Sequence, residues 1–305
     1  MTPRELALAY ALDIVAGDPE WFPHPVRLFG AIIERGDRWL RRFGGGPAAE
    51  TLAGAALTGV VVSLAWISGR PNHKAWRVLL AWTTLATHSL LKEAAAVIRA
   101  LECGNIDLAR IMLARIVGRD TGQLDESEIA RAVIETLAES ACDGIVAPLF
   151  CLALGGIPCA MAYKALSTLD SMIGHPEPPY RYFGRIAARL DDGANLVPSR
   201  LTALAIAASA GVRACRSLRI WLRDGGKHAS PNAGESEAAM AGALGVRLGG
   251  ANFYDGRPHR APLLYEEGRP ATVSDARRAL SIVATVSGIA FGIALLFLAR
   301  RRPRP

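Results

Sequence analysis

An uncharged stretch of 21 residues, from Ala279 to Ala299, restricts the possible folds of this chain more than any other feature. Arg277 and Arg278 come directly before it, and the basic run RRRPRP follows it. A helix rises about 1.5 Å per residue, so a block of this length crosses the apolar core of a bilayer. We therefore predict a transmembrane helix here and an integral membrane protein as a whole.

Other apolar blocks extend this prediction to several membrane passes. Residues 51–69 carry no charge, and residues 75–91 carry only Arg77 and His88. The mean hydropathy of +0.21 is high for a soluble protein, although a soluble helical protein with very apolar core helices is the alternative. We predict an all-α, multi-pass helical membrane protein in which residues 1–305 form one membrane-embedded domain. The predicted membrane helices cover about residues 4–16, 51–69, 75–91, 145–169, 200–215 and 279–299, and the polar active-site loops cover about residues 92–144, 170–199 and 216–278.

The net charge, the cysteine spacing and the glycine patterns limit the kinds of ligand and partner that this chain can bind. The net charge of +7 fits contact with anionic lipid. Nucleic acid is the other partner of a basic chain, but no nucleic-acid motif is present. The five cysteines form no C-x-x-C pair, so we predict reduced, mostly buried thiols. The glycine signatures of the P-loop and of dinucleotide sites are missing, so a nucleotide would need another kind of site.

The longest run of potentially reactive residues begins in a turn flanked by glycines. Arg119, Asp120 and Thr121 lie in this turn. Asp125 then predicts a helix N-cap, and Glu128 three residues later completes a capping box.

The polar face of the helix that follows has two interpretations. One is a solvated surface on which Arg131 pairs with Glu128 and Glu135. The other is a site in which Glu135, Glu139 and Asp143 hold a hard cation or a substrate amine. Residue spacing alone does not decide between them.

The apolar segment over residues 145–169 contains or adjoins further polar residues. Lys164 lies inside it, and Asp170 and Ser171 follow its end. Ionisable residues in or beside a membrane-length segment are costly and usually face a cavity or a partner. Lys164 and Asp170 are therefore candidates for function.

The segment WFPHPVRLFG, residues 21–30, is predicted to be rigid and extended because prolines flank His24. His24 and Arg27 could then reach an anionic ligand. The alternative is an interfacial loop in which Trp21 and Phe22 anchor the membrane surface.

A second polar cluster precedes an Ala- and Gly-rich helix. Ser230 followed by Pro231 predicts a helix start with serine as the N-cap, and His228 lies just before it. Free N–H groups at such a start favour an anion, but plain helix capping explains the spacing equally well. The small residues of the helix predict close packing against another helix or a flat ligand.

Five motifs follow one another between about residues 10 and 255. They read GDPEWFPHPVRLFG, GRDTGQLDESEIARAVIETLAESACDGIVAPLF, LSTLDSMIG, ARLDDGANLVPSRLTAL and SPNAGESEAAMAGALGVRLGG. Together and in this order they resemble the CobD/CbiB family of cobalamin biosynthesis. This sequence departs from the expected pattern at Ser140-Ala141-Cys142 (Asn-Thr-Ser or similar expected), Ser167 (Asn), Ala229 (Pro) and Glu235-Ser236 (Trp-Pro).

The resemblance implies an integral membrane enzyme. Such an enzyme joins adenosylcobyric acid, through its free propionate, to aminopropanol or aminopropanol phosphate and consumes ATP with Mg²⁺. The corrinoid is then a substrate, not a prosthetic group. We expect an inner-membrane location, a cytoplasmic active site, and a homo-oligomer or a complex with other late enzymes of the pathway. The alternatives are a membrane transporter or channel, a non-catalytic scaffold, or a ligase for a different acid or amine.

Our hypothesis for the site takes its positions from these motifs. Catalytic roles are expected for Asp120, Glu135, Glu139, Lys164 and Asp170, substrate or phosphate binding for His24, Arg27, Arg119, Thr121, Ser171, His228, Ser230 and Asn232, and Mg²⁺ binding for Asp143, Glu139 and Asp120.

Overall fold

The computed structural model describes residues 1–19, 21, 24–175, 177–254 and 256–301. Phe22, a predicted membrane anchor, and the last four residues of the basic C-terminal run lie outside this set. Within it the regular secondary structure is helical except for one two-stranded sheet and one isolated bridge between Val246 and Arg269. In this part of the chain three helices are long and apolar enough to cross a membrane, namely Pro47–Ser68, Glu126–Leu154 and Val273–Arg300. The prediction of an all-α helical membrane protein is confirmed.

The elements are as follows in chain order. Helices α1 to α13 are Pro3–Ala16, Pro25–Leu40, Pro47–Ser68, Lys74–Trp82, Thr87–Glu102, Ile106–Leu113, Glu126–Ala141, Ala147–Leu154, Gly156–Ile173, Arg185–Ser209, Ala214–Asp224, Ala233–Leu244 and Val273–Arg300. A π-helical turn, Cys142–Val146, joins α7 to α8, and short 3₁₀ turns occupy Arg41–Phe43, Gly211–Arg213 and Gly225–Lys227. Strands β1, Leu248–Tyr254, and β2, Arg257–Leu264, pair antiparallel.

The chain divides into two compact units. Unit 1 comprises Met1–Ala86, Ala147–Asn195 and Phe291–Pro305, and unit 2 comprises Thr87–Val146 and Leu196–Ala290. In unit 1, α9 packs against α2, α3, α4 and α8. In unit 2, α7 packs against α5, α6, α12 and β1. The prediction of one membrane-embedded domain stays a prediction.

Two predicted membrane helices are interrupted. The helix expected over 75–91 is divided between α4 and α5, because the hydroxyls of Thr83 and Thr84 donate to carbonyls of the last turn of α4 and help to end it. The segment expected over 145–169 belongs to α8 and α9. These helices separate where Gly156 adopts a φ of 71°, a conformation that glycine accepts at no steric cost.

A two-stranded sheet in unit 2 contradicts the expectation of purely helical loops. The packing of α12 in the same unit confirms another prediction. The sheet lies within residues 216–278, which we had expected to be helical. The Ala- and Gly-rich α12 packs against α11, as predicted for a helix of small residues. A Cβ built on Gly242 of α12 would lie 2.8 Å from the Cα of Ser217 in α11, so the two backbones are close enough to require glycine there.

Gly54 in α3 marks a close approach within unit 1. A Cβ at this position would lie 1.7 Å from the carbonyl oxygen of Phe183. We expect Gly54→Ala to destabilise the protein by about 1–3 kcal/mol or more, because the backbone must move to relieve the overlap. Gly59→Ala in the same helix is the matched control, since nothing lies within 4 Å of its Cβ. Thermal unfolding in detergent measures both, and equal melting temperatures of the two variants would contradict this account.

Candidate functional site

Glu135 is the centre of a buried ionic cluster in unit 2. Its side chain lies on α7, and the residue is 5% exposed. One carboxylate oxygen accepts a hydrogen bond of 2.6 Å from Nη2 of Arg119, and the other accepts bonds from Nη1 of Arg131 at 3.2 Å and from the Gly249 amide at 2.8 Å. Burial alone would lower the pKa of Arg119, but the Glu135 charge raises it above its usual value. The guanidinium therefore stays charged inside the protein.

Asn252 on β1 completes this cluster. Its Oδ1 accepts hydrogen bonds from Nη1 of Arg119 at 2.9 Å and from Nη2 of Arg131 at 3.1 Å. Arg131 also donates to the carbonyl oxygens of Gly249 and Ala251, at 2.6 and 3.1 Å. These bonds fasten the hairpin to α7 and to the turn before it. We call Arg119, Arg131, Glu135 and Asn252 the Glu135 cluster.

The first turn of α7 forms as predicted. The Asp125 side chain accepts a hydrogen bond of 2.8 Å from the Glu128 amide, and the Glu128 side chain accepts one of 2.9 Å from the Asp125 amide. The capping box is confirmed. The polar face is not solvated at Glu135, because β1 covers that part of α7. The predicted pairing of Arg131 with Glu135 is confirmed.

A second buried carboxyl, Glu237 on α12, interacts with the same charges. Burial raises the pKa of Glu237 well above its usual range, and the charges of Glu135 and Glu139 raise it further, while Arg119 and Arg131 oppose them. Glu237 therefore favours its protonated form, in which a carboxyl group is a hydrogen-bond donor as well as an acceptor.

The raised pKa of Glu237 predicts that protein stability falls as pH rises. The folded state holds this proton more tightly than the unfolded state, so the contribution is complete below the ordinary carboxyl pKa and is lost as pH rises through the folded-state pKa. Glu237→Gln keeps a neutral side chain of the same shape and should remove this loss, at about 1.4 kcal/mol per unit of pKa elevation. Melting temperatures measured from about pH 5 to about pH 9 should coincide in acid and favour the variant in alkali. If the melting temperatures of the wild type and of Glu237→Gln change in parallel over this pH range, the prediction is contradicted.

The turn before α7 is tied to the hairpin. The backbone amide of Asp120 donates to the carbonyl oxygen of Phe253 at 2.8 Å. The side-chain Oδ2 of Asp120 accepts a hydrogen bond from the Gly256 amide at 2.8 Å. Asp120 is exposed and Thr121 is half-buried. The structure thus brings Arg119 and Asp120 to the same hairpin, which the sequence analysis did not predict.

Glu139 and Asp143 lie one turn apart at the end of α7. Glu139 is exposed, whereas Asp143 is half-buried in the π-helical turn, a feature that is frequent at functional sites. Among the described residues no group of three or more His, Cys, Asp or Glu side chains is placed to hold a metal ion. Mg²⁺ commonly takes only one or two carboxylates together with substrate phosphates. This pair therefore fits a magnesium ion that binds with a nucleotide.

The segment before α12 forms a local turn. Nδ1 of His228 accepts from the Ser230 amide at 3.1 Å, and Oγ of Ser230 accepts from the amides of Asn232 and Ala233 at 3.3 and 3.4 Å. The predicted N-cap at Ser230 is wrong, because this turn uses the amides and α12 begins only at Ala233. Asn232 is buried and accepts a bond of 3.2 Å from the hydroxyl of Ser199. Burial lowers the pKa of His228, so its imidazole is neutral at neutral pH.

In unit 1, residues 25–30 are helical rather than extended, whereas His24 keeps the predicted extended backbone. Helix α2 begins at Pro25, because the first helical position tolerates the missing N–H of proline. His24 is the N-cap, and its Nδ1 accepts a backbone hydrogen bond of 3.3 Å. Its Nε2 lies 3.3 Å from Oδ1 of Asp18. Arg27 is exposed on α2.

The remaining predicted site residues lie on α9 in unit 1. Lys164 is half-buried, and the exposed Ser171 donates to the backbone oxygen of Ser167 at 2.9 Å. Burial raises the pKa of the half-buried Asp170, and the charge of Asp192 raises it further. The predicted residues are therefore divided between the two units, with the Glu135 cluster in unit 2.

A cavity of about 310 Å³ opens next to the Glu135 cluster in unit 2. Its lining includes Glu128 and Arg131 of α7, Arg247, and Gly249 and Leu263 of the hairpin. The exposed Arg247 side chain has no ionic partner in the described part of the chain. The cavity thus presents an unneutralised guanidinium.

Sequence reasoning missed Asn252, Glu237 and Arg247. The dipeptide Asp255-Gly256 lies between two runs with strand-forming residues and is a strong hairpin signal, which would have placed Asn252 on a strand. No local signal identifies Glu237, because its burial follows from the packing of α12 on α7.

These features define a class: a helical membrane protein whose polar site joins a buried helix, a short helix of small residues and a β-hairpin. A family model described as CobD/Cbib protein matches residues 6–283. The chain belongs to the CobD/CbiB family, and the resemblance inferred from the motifs is confirmed. This membership supports a role in cobalamin biosynthesis.

Individual relatives match over almost the whole chain. The cobalamin biosynthesis protein CbiB of Salmonella typhimurium is 42% identical, covering 98% of this chain and 98% of the relative. The cobalamin biosynthesis protein CobD of Klebsiella pneumoniae is 41% identical, covering 96% of each. That of Citrobacter koseri is 40% identical, covering 99% of this chain and 98% of the relative. No solved structure matches the chain.

Proposed function

We propose that this protein is an ATP-dependent amide ligase of cobalamin biosynthesis. It joins the free propionate of adenosylcobyric acid to aminopropanol or aminopropanol phosphate and gives adenosylcobinamide or its phosphate. The observation that supports this most is the Glu135 cluster. It assembles Arg119, Arg131 and Glu135 of the longest family motif into one buried arrangement with the hairpin.

The reaction needs activation of the acid, because a carboxylate does not condense with an amine in water unaided. In the proposed course a propionate oxygen attacks the terminal phosphorus of ATP, which releases ADP and leaves an acyl phosphate. The neutral amine then attacks the acyl carbon, phosphate leaves, and a base takes the amine proton. Cations next to the phosphates would stabilise the charge that develops.

Residues of unit 2 supply groups for this chemistry. Arg119 stays charged in a fixed position, which suits binding of a phosphate or of the propionate. His228, neutral at neutral pH, suits hydrogen bonding to the same groups. Glu139 and Asp143 would hold Mg²⁺, with Asp120 as a further candidate, and the ion would neutralise phosphate charge when bound. Glu135 serves in this proposal as the anchor that holds the two arginines.

The cavity beside Arg131 suits the amine substrate. Its volume of about 310 Å³ admits a small amino alcohol but not a corrinoid. Glu128 offers a carboxylate to an ammonium group, and Arg247 offers a guanidinium to a phosphate. We propose that the amine enters here.

In unit 1, Lys164 and Asp170 keep the roles that the motifs suggest. Lys164 would bind a phosphate, and Asp170 would orient the substrate or accept a proton. The raised pKa of Asp170 moves its titration towards neutrality, as a base requires. His24, Arg27, Thr121, Ser171, Ser230 and Asn232 remain proposed substrate contacts.

The three apolar helices indicate membrane association. We propose the inner membrane as the location and the cytoplasmic side for the active site, where ATP is available. A transporter would move corrinoid across vesicles without ATP-dependent ligation, and a scaffold would tolerate loss of the motif carboxylates.

Ligation in purified membranes tests the proposal. Adenosylcobyric acid, Mg-ATP and either aminopropanol or its phosphate are incubated with the protein, and the amide product is detected by mass spectrometry. We expect product that depends on ATP, and the faster amine identifies the preferred substrate. No product with either amine, from protein shown to be folded and inserted, would overturn the proposal.

A further inference from the structure

A second cavity, of about 280 Å³, lies in unit 1 and takes no part in the proposed ligation. It is formed where α3 ends and α9 begins. Its lining includes Met1, Arg70, Asn72 and Arg77 together with the backbone of Gly155 and Gly156. It therefore combines positive side chains with the amino end of an 18-residue helix, which is the positive end of the helix dipole.

The carboxyl ends of all three apolar helices meet at this place. At the end of α3, a Cβ on Gly69 would lie 2.5 Å from the Cα of Pro158 in α9. At the end of α13, Arg301 donates to the carbonyl oxygens of Ala153 and Leu154, the last residues of α8, at 3.1 and 2.8 Å. Each helix is long enough to cross a membrane. A helix that crosses the bilayer ends near its surface, so this position suits a membrane boundary.

The surfaces next to the cavity are those of a lipid interface. Exposed apolar side chains occupy the last turns of α3 and α13 and include Leu64, Ile67 and Leu296. At the end of each helix an arginine stacks on an aromatic ring. The guanidinium carbon of Arg70 lies 5.7 Å from the ring of Trp66, and that of Arg301 lies 4.8 Å from the ring of Phe297. Aromatic and basic residues at the ends of apolar helices are typical of the headgroup region.

The charge at the cavity favours an anion. The Glu5 carboxylate neutralises Arg77, with two hydrogen bonds of 2.8 and 3.2 Å. The exposed Arg70 has no carboxylate partner within the described residues. Arg70 therefore carries the charge that a ligand would neutralise, and Asn72 adds a hydrogen-bond donor.

We propose that this cavity binds the phosphate group of an anionic phospholipid, with the acyl chains along the exposed apolar residues of α3 and α13. The lipid contacts Arg70 and the amino end of α9, and it fixes the depth of unit 1 in the membrane. A free phosphate ion shares the chemistry of the headgroup, but it lacks the acyl chains that would cover these apolar surfaces.

Lipid retention by the full-length protein tests this assignment. Wild-type protein and Arg70→Gln are exchanged into micelles that contain phosphatidylglycerol, and bound lipid is counted by native mass spectrometry. We expect about fivefold weaker retention by the variant, the effect of one cation at an anionic membrane surface. Arg181→Gln is the matched control, because Arg181 also lies over an aromatic ring, at 5.6 Å from that of Tyr182, but away from the cavity. It should retain lipid as the wild type does.

Three outcomes would overturn the lipid assignment. The first is that Arg70→Gln retains lipid like the wild type. The second is that Arg70→Gln and Arg181→Gln lose lipid equally. The third is that millimolar inorganic phosphate displaces the lipid fully and binds equally well in its absence. Ligation by Arg70→Gln in lipid-saturated membranes should equal that of the wild type.

Discussion

Glu135→Ala is expected to destabilise the protein by about 3–5 kcal/mol, the range for removal of one partner from a buried ion pair. The substitution leaves the guanidinium groups of Arg119 and Arg131 buried without their shared carboxylate, and it leaves the Gly249 amide without its acceptor. The hairpin would lose one of its attachments to α7. Thermal unfolding in detergent should show a melting temperature lower by roughly 10 °C.

Two further variants separate the buried charge from general effects on α7. Glu126→Ala removes an exposed carboxylate from the first turn of the same helix and should change stability by less than about 1 kcal/mol. Glu135→Gln keeps a hydrogen-bond acceptor but removes the charge, so its loss should lie between the other two. If Glu135→Ala unfolds at the wild-type temperature, the cluster does not hold the hairpin as the contacts indicate.

The contrast between Asp125 and Glu135 shows what the sequence reveals about this site. A capping box depends on residues three apart in one chain segment, so the prediction at Asp125 and Glu128 was confirmed in full. The environment of Glu135 depends on a hairpin more than 100 residues later. Helical spacing places Glu135 on a polar face, but it contains no information about what covers that face.

Proline and glycine explain the main errors of detail. A proline that follows a polar residue fits both an extended segment and the start of a helix. At Pro25 the chain starts a helix. At Ser230 the side chain bonds the amides of a local turn and the helix begins later. The hydropathy of residues 145–169 does not separate α8 from α9, because the break at Gly156 depends on a backbone conformation rather than on polarity. The membrane-spanning character was predictable because it depends only on length and composition.

Asp143→Asn is expected to reduce ligation by a factor on the order of 10²–10³, the usual cost of removing one preorganised electrostatic contact from an active site. In the proposed mechanism Asp143 and Glu139 would hold Mg²⁺, which would neutralise phosphate charge. Asparagine keeps the shape of the side chain but not its charge. The variant should also need a higher Mg²⁺ concentration for half-maximal rate. Initial rates of amide formation, measured over a Mg²⁺ titration at saturating ATP, give both quantities.

Asp107→Asn is the matched control for this experiment, since Asp107 is an exposed aspartate of unit 2 that pairs with Arg110 one turn later. It should ligate at the wild-type rate with the wild-type Mg²⁺ dependence. Asp120→Asn is the second test variant, and it should lose activity while staying inserted, because asparagine can still accept the hydrogen bond from the Gly256 amide. Wild-type turnover in both Asp143→Asn and Asp120→Asn would contradict the proposed metal site. Loss of turnover without a change in Mg²⁺ dependence would instead assign these carboxylates to the amine, because a group that binds the amine affects the rate but not the concentration of metal that the reaction requires.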